Sequence, residues 1–261
     1  MKMDAALFVF AVTALAMAPA GAAETSVSIG IDYSTGDYGE SDDTDITYIP
    51  FTGKYETDGW IAKITIPYIR ITGPATVLPD VGRVGGEAPR RTESGLGDII
   101  IALTREAYAS QNLLLDVTGK VKLATADEDD GLGTGENDYS LQLDGYMPVE
   151  RATAFSTLGY RIMGDAPGTD LDNVFFGSLG FSYPVSDTLS SGAILDLREK
   201  TSPQGDPRSE LMVFATNKLT PDWNLQGYLV RGFTDGSPDW ALGLVVVYRG
   251  PLIPTEKRPG R

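Results

Sequence analysis

Apolar and polar residues alternate with a period of two along most of this chain, and no stretch after residue 22 sustains the period of an α-helix. Residues 59–70 show the pattern clearly. One side of the extended chain carries Trp60, Ala62, Ile64, Ile66 and Tyr68. Lys63 and Thr65 fall on the other side. Because successive side chains of a strand point to opposite faces, the pattern predicts β-strands with one apolar face.

Such segments recur twelve times, and the links between them differ in length on a regular plan. The segments cover residues 25–34, 44–55, 59–70, 96–107, 111–124, 137–148, 152–163, 173–184, 188–199, 208–219, 222–233 and 239–249. Links after even-numbered segments are short, as at 56–58, and most others are longer and more polar, as at 71–95 and 125–136. This layout is typical of outer-membrane barrels. We therefore predict an all-β fold over residues 23–250, an antiparallel up-and-down transmembrane β-barrel of about 12 strands with short periplasmic turns and long extracellular loops.

Aromatic residues on the apolar faces sort into two levels. The level near the short turns contains Trp60, Tyr183, Trp223 and Tyr248, and the level near the long loops contains Tyr68, Tyr139, Tyr160, Phe175, Phe233 and Trp240. Eight residues separate Trp60 from Tyr68, which gives about 20 Å of height at ~3.3 Å per residue and ~40° of tilt. That height is close to the ~25 Å apolar band of such barrels. The levels predict an aromatic girdle at each membrane interface. A soluble sandwich with aromatics in its core is the alternative.

The first 22 residues resemble a secretory signal. Lys2 gives a positive start, residues 5–18 are apolar, and an A-x-A pattern ends at Ala22, with Ala23 as an alternative cleavage point. The apolar run is shorter than the ~20 residues that a spanning helix needs. We expect export to the periplasm of a Gram-negative bacterium and insertion into the outer membrane, assisted by periplasmic chaperones and the barrel-assembly machinery. Residues 251–261 form a C-terminal tail after the last strand.

Composition excludes several classes of function. The chain has no histidine and no cysteine, so disulfides, thiolate chemistry, Ser-His or Cys-His nucleophiles and His-ligated metals cannot form. Its formal charge of −15 opposes nucleic-acid binding, which needs basic patches. An EF-hand starting at Asp127 fails, because its sixth residue is Leu132 and its twelfth is Asp138. We expect a solvated acidic loop there, with a loose surface cation site as the alternative. No catalytic residue, metal or cofactor is predicted.

Charged residues fall out of phase with the apolar rows, and charge cannot face hydrocarbon cheaply. The predicted inner face carries Lys63, Asp98, Asp116, Lys120, Lys122, Asp138, Asp144, Arg161, Asp196, Arg198 and Glu210. These side chains either line a water-filled passage or pair into a plug. A twelve-strand barrel lies between eight strands, which side chains fill, and sixteen, which leave a channel.

Two stretches carry a resemblance to a known family. Gly95-Leu96-Gly97-Asp98 precedes a mid-chain strand, and Gly133, Gly135 and Asn137-Asp138-Tyr139 lie in and after an acidic loop. In these features the chain resembles the outer-membrane transporters of the MetA-pathway of phenol degradation family. Ala124-Thr125-Ala126 stands where that family has Pro-Thr-Gly. The resemblance implies a barrel with a transport role and suggests small hydrophobic or aromatic compounds as solutes.

Three functions remain open from the sequence. The first is an outer-membrane channel for passive or weakly selective passage of small molecules. The second is a structural or adhesive barrel whose lumen is plugged. The third is a secreted soluble β-sandwich that binds a ligand. Conductance separates the first from the second, and membrane fractionation separates the third from both.

Overall fold

The computed structural model describes residues 23–74, 76–79, 81–84, 89–164 and 170–250. These residues form strands, turns and loops, with no α-helix among them. Within the same ranges, no helix is long and apolar enough to cross a membrane. The predicted signal (1–22) and C-terminal tail (251–261) lie outside the described residues.

The described residues form fifteen strands. They are β1 (Glu24–Gly36), β2 (Thr44–Thr57), β3 (Trp60–Pro74), β4 (Val77–Leu78), β5 (Gly82–Arg83), β6 (Arg90–Leu96), β7 (Ile99–Ala109), β8 (Leu114–Leu123), β9 (Asp138–Val149), β10 (Ala152–Ile162), β11 (Val174–Pro184), β12 (Leu189–Arg198), β13 (Arg208–Lys218), β14 (Trp223–Gly232) and β15 (Trp240–Arg249). The two-residue strands β4 and β5 pair only with each other, and the other thirteen belong to one sheet.

The large sheet closes on itself. Each strand of this sheet pairs antiparallel with the strands beside it in the wall, and the first strand, β1, pairs with both β2 and the last strand, β15. Strands β6 and β7 both pair with β3 and are separated by Gly97 and Asp98, so together they make one position in the wall. The result is a closed antiparallel barrel of twelve wall positions. The predicted fold class is confirmed, and closure leaves no room for a two-sheet sandwich.

Short turns join the strands at one end of the barrel. Between β2 and β3, Asp58 and Gly59 have φ of 37° and 74°. Positive φ at both central residues is the requirement of a type I′ turn, for which Asp-Gly is a preferred pair because its twist matches that of the strands. The connections at the other end are longer, as at 37–43 and 199–207. Short turns therefore gather at one rim and long loops at the other.

Burial alternates along the strands as the sequence predicts. On β3, Ile64 is 43% exposed whereas Thr65 is completely buried, and the same alternation continues through Ile66 and Pro67. Exposed side chains of this row are apolar, so the outer surface of the wall is a continuous apolar belt. The inner surface carries polar and charged side chains and also a buried apolar cluster on β12–β15, which includes Ile194, Met212 and Val245.

Two of the predicted loops are more structured than expected. The predicted 71–95 link is strand at both ends, because β3 continues to Pro74 and β6 begins at Arg90. The stretch Arg90–Gly95 is polar on both faces, so it gives no apolar row for the sequence to reveal. The predicted solvated loop 125–136 is also partly wrong. Leu132 is only 2% exposed and packs with Ile69 and Ile71, because this loop folds into the barrel mouth.

Candidate functional site

The charged side chains predicted for the lumen all lie on the inward side of the wall. Lys63, Asp116 and Lys120 are half-buried. Their buried counterparts are Asp98, Lys122, Asp138, Asp144, Arg161, Asp196, Arg198 and Glu210. Nine of these eleven residues form three groups with different chemistry, two at the long-loop end and one lower on the wall.

The first group is an ion-pair network on β8, β9 and β10. Lys122 Nζ lies 3.1 Å from Asp98 Oδ2 and 3.0 Å from Asp138 Oδ2. Arg161 pairs with the same oxygen of Asp138. Asp98 Oδ1 also accepts hydrogen bonds from the backbone N–H groups of Thr125 and Ala126. The network therefore fixes the start of the 124–137 loop as well as balancing its own charges.

The motif residues that carry the family resemblance meet in this network. Asp98 and Asp138, separate in the sequence, are joined through Lys122. Gly97 brings Asp98 into place, because a Cβ at Gly97 would lie 2.4 Å from Ile69 Cδ1, and its N–H donates to Pro67 O at 2.8 Å. Close packing against Ile69 therefore explains why a glycine precedes Asp98, and the sequence pattern alone could not show this contact.

The second group lies on β12 and β13, where Asp196 and Glu210 are Cα partners, as are Arg198 and Arg208. Arg208 Nε lies 2.6 Å from Glu210 Oε1. Sequence analysis missed Arg208, although its position two residues before Glu210 places it on the same face. A cavity of about 30 Å³ opens beside this pair and is also lined by Asp32, Tyr38 and Tyr48.

The third group lies on β8 and β9, and no ion pair joins it to a basic residue of the described ranges. Asp116 and Asp144 are Cα partners. Asp144 accepts hydrogen bonds from Thr157 Oγ1 at 2.6 Å, from Thr118 Oγ1 at 3.2 Å and from Gln142 Nε2 at 2.8 and 2.7 Å. Every one of these donors is a neutral side chain. The sequence analysis also missed Gln142. Its one sequence signal is its position two residues before Asp144, which places both side chains on the same face of β9.

The connection between β3 and β6 crosses the long-loop end of the barrel. We call its described residues, 76–79 and 81–84, the crossing segment. Thr201 Oγ1 donates to Val81 O at 2.7 Å, and Ser202 Oγ donates to Arg83 O at 2.5 Å. Both hydroxyls follow β12, which lies six wall positions from β3 in a wall of twelve. The crossing segment therefore spans from one wall to the opposite one and narrows this mouth.

The predicted girdle aromatics lie on the outer face. Nine are exposed, and Tyr248 is half-buried against Trp223, with ring centroids 4.9 Å apart. Tyr160 and Phe175 are Cα partners near the long loops, with centroids 4.7 Å apart. At the short-turn end, the Arg105 guanidinium lies 5.0 Å from the Trp60 ring. The register thus places aromatic rings at both ends of the apolar belt.

The acidic loop organises its own backbone. Asp127 Oδ1 accepts hydrogen bonds from the N–H groups of Asp129 and Asp130. In the part of the chain that the structure describes, no group of three or more acidic side chains is close enough to hold a metal ion. The loop geometry is that of an Asx turn, which the sequence alone favours for these residue types.

Comparisons with known proteins identify the fold. No protein-family model matches the chain, and no curated protein matches it. Among solved structures, an outer membrane channel from Pseudomonas putida F1 has a TM-score of 0.68 at 18% identity, covering 89% of this chain and 97% of that one. The NanC porin has a TM-score of 0.57 at 10% identity, and the KdgM porin 0.53 at 9%; each comparison covers 85% of this chain and 98% of the porin. At these identities the likeness shows a shared outer-membrane barrel fold.

Proposed function

We propose that this protein is a non-enzymatic outer-membrane channel for passive or weakly selective passage of small molecules. The observation that carries the proposal is the division of the closed wall into an apolar outer belt and an inner face holding eleven predicted charges. An apolar belt of this kind is suited to contact with lipid. A charged side chain inside a barrel is stabilised by water, by a solute or by another charge. The shared fold with porins supports the same assignment.

The solute class rests on the family resemblance. If the chain functions as the MetA-pathway of phenol degradation transporters do, small hydrophobic or aromatic compounds pass through it. Secretion through the predicted signal, insertion with the help of periplasmic chaperones and the assembly machinery, and residence in the outer membrane of a Gram-negative bacterium belong to the same proposal.

Liposome swelling tests the channel. Purified protein is reconstituted into liposomes, which are then diluted into isotonic solutions of uncharged solutes of increasing size. We expect swelling that is fastest for the smallest solute and absent with heat-unfolded protein. Because uncharged solutes are used, the result is independent of ion selectivity. A folded protein that gives no swelling with any solute contradicts the proposal.

A structural or adhesive barrel is the second candidate, and the crossing segment favours it. With Thr201 and Ser202 holding Val81 and Arg83 across the mouth, and with Lys122 pairing its neighbours, much of the long-loop end is filled. A closed lumen would give no swelling with any solute.

A further inference from the structure

The wall of the barrel rises above the apolar belt at β3 and β6. Strand β3 continues for six residues beyond Tyr68 to Pro74, and β6 pairs with it over this whole stretch. Six residues give about 15 Å of height at ~3.3 Å per residue and ~40° of tilt. The outward side chains of this stretch that are basic or carry a hydroxyl form what we call the outer patch: Arg70, Thr72, Arg90, Thr92 and Ser94.

Arg70 has no partner among the described residues. It is exposed and lies two residues beyond Tyr68, which places its Cα about 5 Å above that of Tyr68. Its Cα partners, Thr47 and Ser94, are neutral. No side chain of the described ranges forms an ion pair or a hydrogen bond with its guanidinium. Because an unpaired charge beside hydrocarbon is costly, an anion supplied by the membrane would stabilise Arg70.

Arg90, at the top of the patch, differs from Arg70. Its Nη1 donates to Asp43 O at 2.7 Å, and its Nη2 lies 3.7 Å from Asp45 Oδ2. Tyr33 Oη donates to the other oxygen of Asp45 at 2.7 Å. This carboxylate, on the strand beside Arg70, is thus engaged at both oxygens. Arg70 is therefore the open charge of the outer patch.

A further arginine on the outer face shows the contrast. Arg231 of β14 is exposed and is the Cα partner of Trp240, in the aromatic level near the long loops. Its Nη1 donates to Asp239 O at 2.7 Å and lies 3.5 Å from Asp239 Oδ1. The protein supplies the acceptors for Arg231, whereas those for Arg70 must come from its surroundings.

The surface directly below Arg70 is apolar. In the same outer row Ile64 and Ile66 are 43% and 38% exposed, and Leu96 beside Tyr68 is 60% exposed. Acyl chains suit this surface. A phosphate just above the chains would meet Arg70, because a planar guanidinium binds two phosphate oxygens at once. An apolar surface that continues into an open arginine fits a lipid better than free phosphate.

The height of the polar wall indicates which kind of lipid headgroup it faces. A phospholipid headgroup layer is only about 5–8 Å thick. The polar stretch of β3 and β6 is about 15 Å high. Above Arg70 it presents the hydroxyls of Thr72 and Thr92, whose oxygens lie 3.1 Å apart on the exposed face. A taller headgroup built of sugars would cover this stretch and exchange hydrogen bonds with its hydroxyls.

We propose that the outer patch is a docking surface for a phosphorylated glycolipid of the outer leaflet. Arg70 binds the phosphate, and the hydroxyls of Thr72, Thr92 and Ser94 face the sugars. The outer leaflet of a Gram-negative outer membrane is built from lipid of this kind, and the predicted orientation places the patch on that side. The inference rests on residence in the outer membrane, which belongs to the proposed function, and not on conduction.

Native mass spectrometry of the purified protein in neutral detergent tests the inference. Wild type and variants are titrated with diphosphoryl lipid A, with the same lipid after removal of its phosphates, and with phosphatidylglycerol. We expect wild type to bind diphosphoryl lipid A most tightly. Arg70→Gln should weaken this binding about fivefold, as the loss of ~1 kcal/mol per basic residue near an anionic surface implies. The variant and wild type should bind the dephosphorylated lipid equally.

Arg231→Gln is the matched control and should bind like wild type, because Arg231 already has Asp239 as its partner. Arg70→Lys keeps the charge and should restore most of the affinity, and heat-modifiable gel mobility confirms that each variant is folded. Unchanged binding in Arg70→Gln overturns the inference. So does binding of the dephosphorylated lipid or of phosphatidylglycerol as tight as that of diphosphoryl lipid A. Folded protein that binds lipid A through Arg70 but gives no liposome swelling supports this inference and contradicts the channel alone.

Discussion

Buried carboxylates in this barrel are stabilised in two ways, and the difference decides what each can do. Asp138 is 1% exposed and shares one oxygen between Lys122 and Arg161. Asp144 is 2% exposed and is held by Thr118, Gln142 and Thr157. An ion-paired carboxylate depends on a basic residue of another strand, whereas Asp144 depends on hydrogen bonds from neutral side chains. The period of two predicted that both face inward, but partners on other strands depend on register, which the pattern does not give.

Removing the shared carboxylate should destabilise the first network strongly. In Asp138→Asn, Lys122 and Arg161 both lose the carboxylate oxygen that they share, while Lys122 keeps its contacts with Asp98 and Thr134. Breaking a buried pair by removing one partner costs about 3–5 kcal/mol. We expect the free energy of unfolding to fall by this amount, which lowers the urea concentration at the unfolding midpoint. Asp187→Asn, in an exposed short turn, is the control and should unfold like wild type. Equal midpoints for the two variants would show that the network adds no stability.

The apolar belt makes a second prediction at the residue scale. Ile64 lies in the outer row between Trp60 and Tyr68, with its side chain 43% exposed. Ile64→Arg should cost about 2–4 kcal/mol of folding free energy in lipid, the cost of a basic side chain near the bilayer midplane. Ile64→Val keeps the belt apolar and serves as control. If reversible unfolding from vesicles gives Ile64→Arg the same folding free energy as wild type, then Ile64 does not face hydrocarbon.

At the scale of elements, strands were predictable and their extensions were not. Segments with an apolar row, such as β3 and β12, were located to within a few residues because lipid and lumen impose opposite polarity on alternate positions. The strand β6 was missed, since both of its faces are polar where the wall rises above the belt. The inward fold of the 124–137 loop depends on Leu132 packing among residues of distant strands. Contacts between residues of distant strands leave no periodic pattern in the local sequence.

Removing two of its hydrogen bonds to the opposite wall should loosen the crossing segment. The hydroxyls of Thr201 and Ser202 bond to Val81 and Arg83. Each such bond contributes about 0.5–1.5 kcal/mol. In Thr201→Val/Ser202→Ala we expect trypsin to cleave after Arg83 at least about fivefold faster, measured by mass spectrometry on native protein. Thr201→Ser keeps a hydroxyl and should protect the bond. An unchanged cleavage rate in the double variant would mean that the segment is held elsewhere.

For the whole molecule, the sorting of loops by length predicts the orientation in the membrane. Asp42 and Asp129 lie in long loops, and Asp58 and Asp222 lie in short turns at the other rim. Gly85, also predicted to face outward, lies outside the described residues. The chain has no native cysteine, so single cysteines at these positions can be labelled without background. An impermeant thiol reagent on intact cells should modify the Asp42 and Asp129 positions. Modification of the cysteine at position Asp58 but not of the one at Asp129 would show that the orientation is the opposite of the predicted one.

Single-channel recording tests the central claim, that the charged inner wall surrounds a conducting path. Purified wild-type protein, folded by heat-modifiable gel mobility, is added to one side of a planar bilayer in KCl. We predict discrete, reproducible conductance steps, which become larger in Thr201→Val/Ser202→Ala because the mouth is less obstructed. A silent bilayer with both folded proteins would contradict the claim and establish a barrel whose lumen is closed.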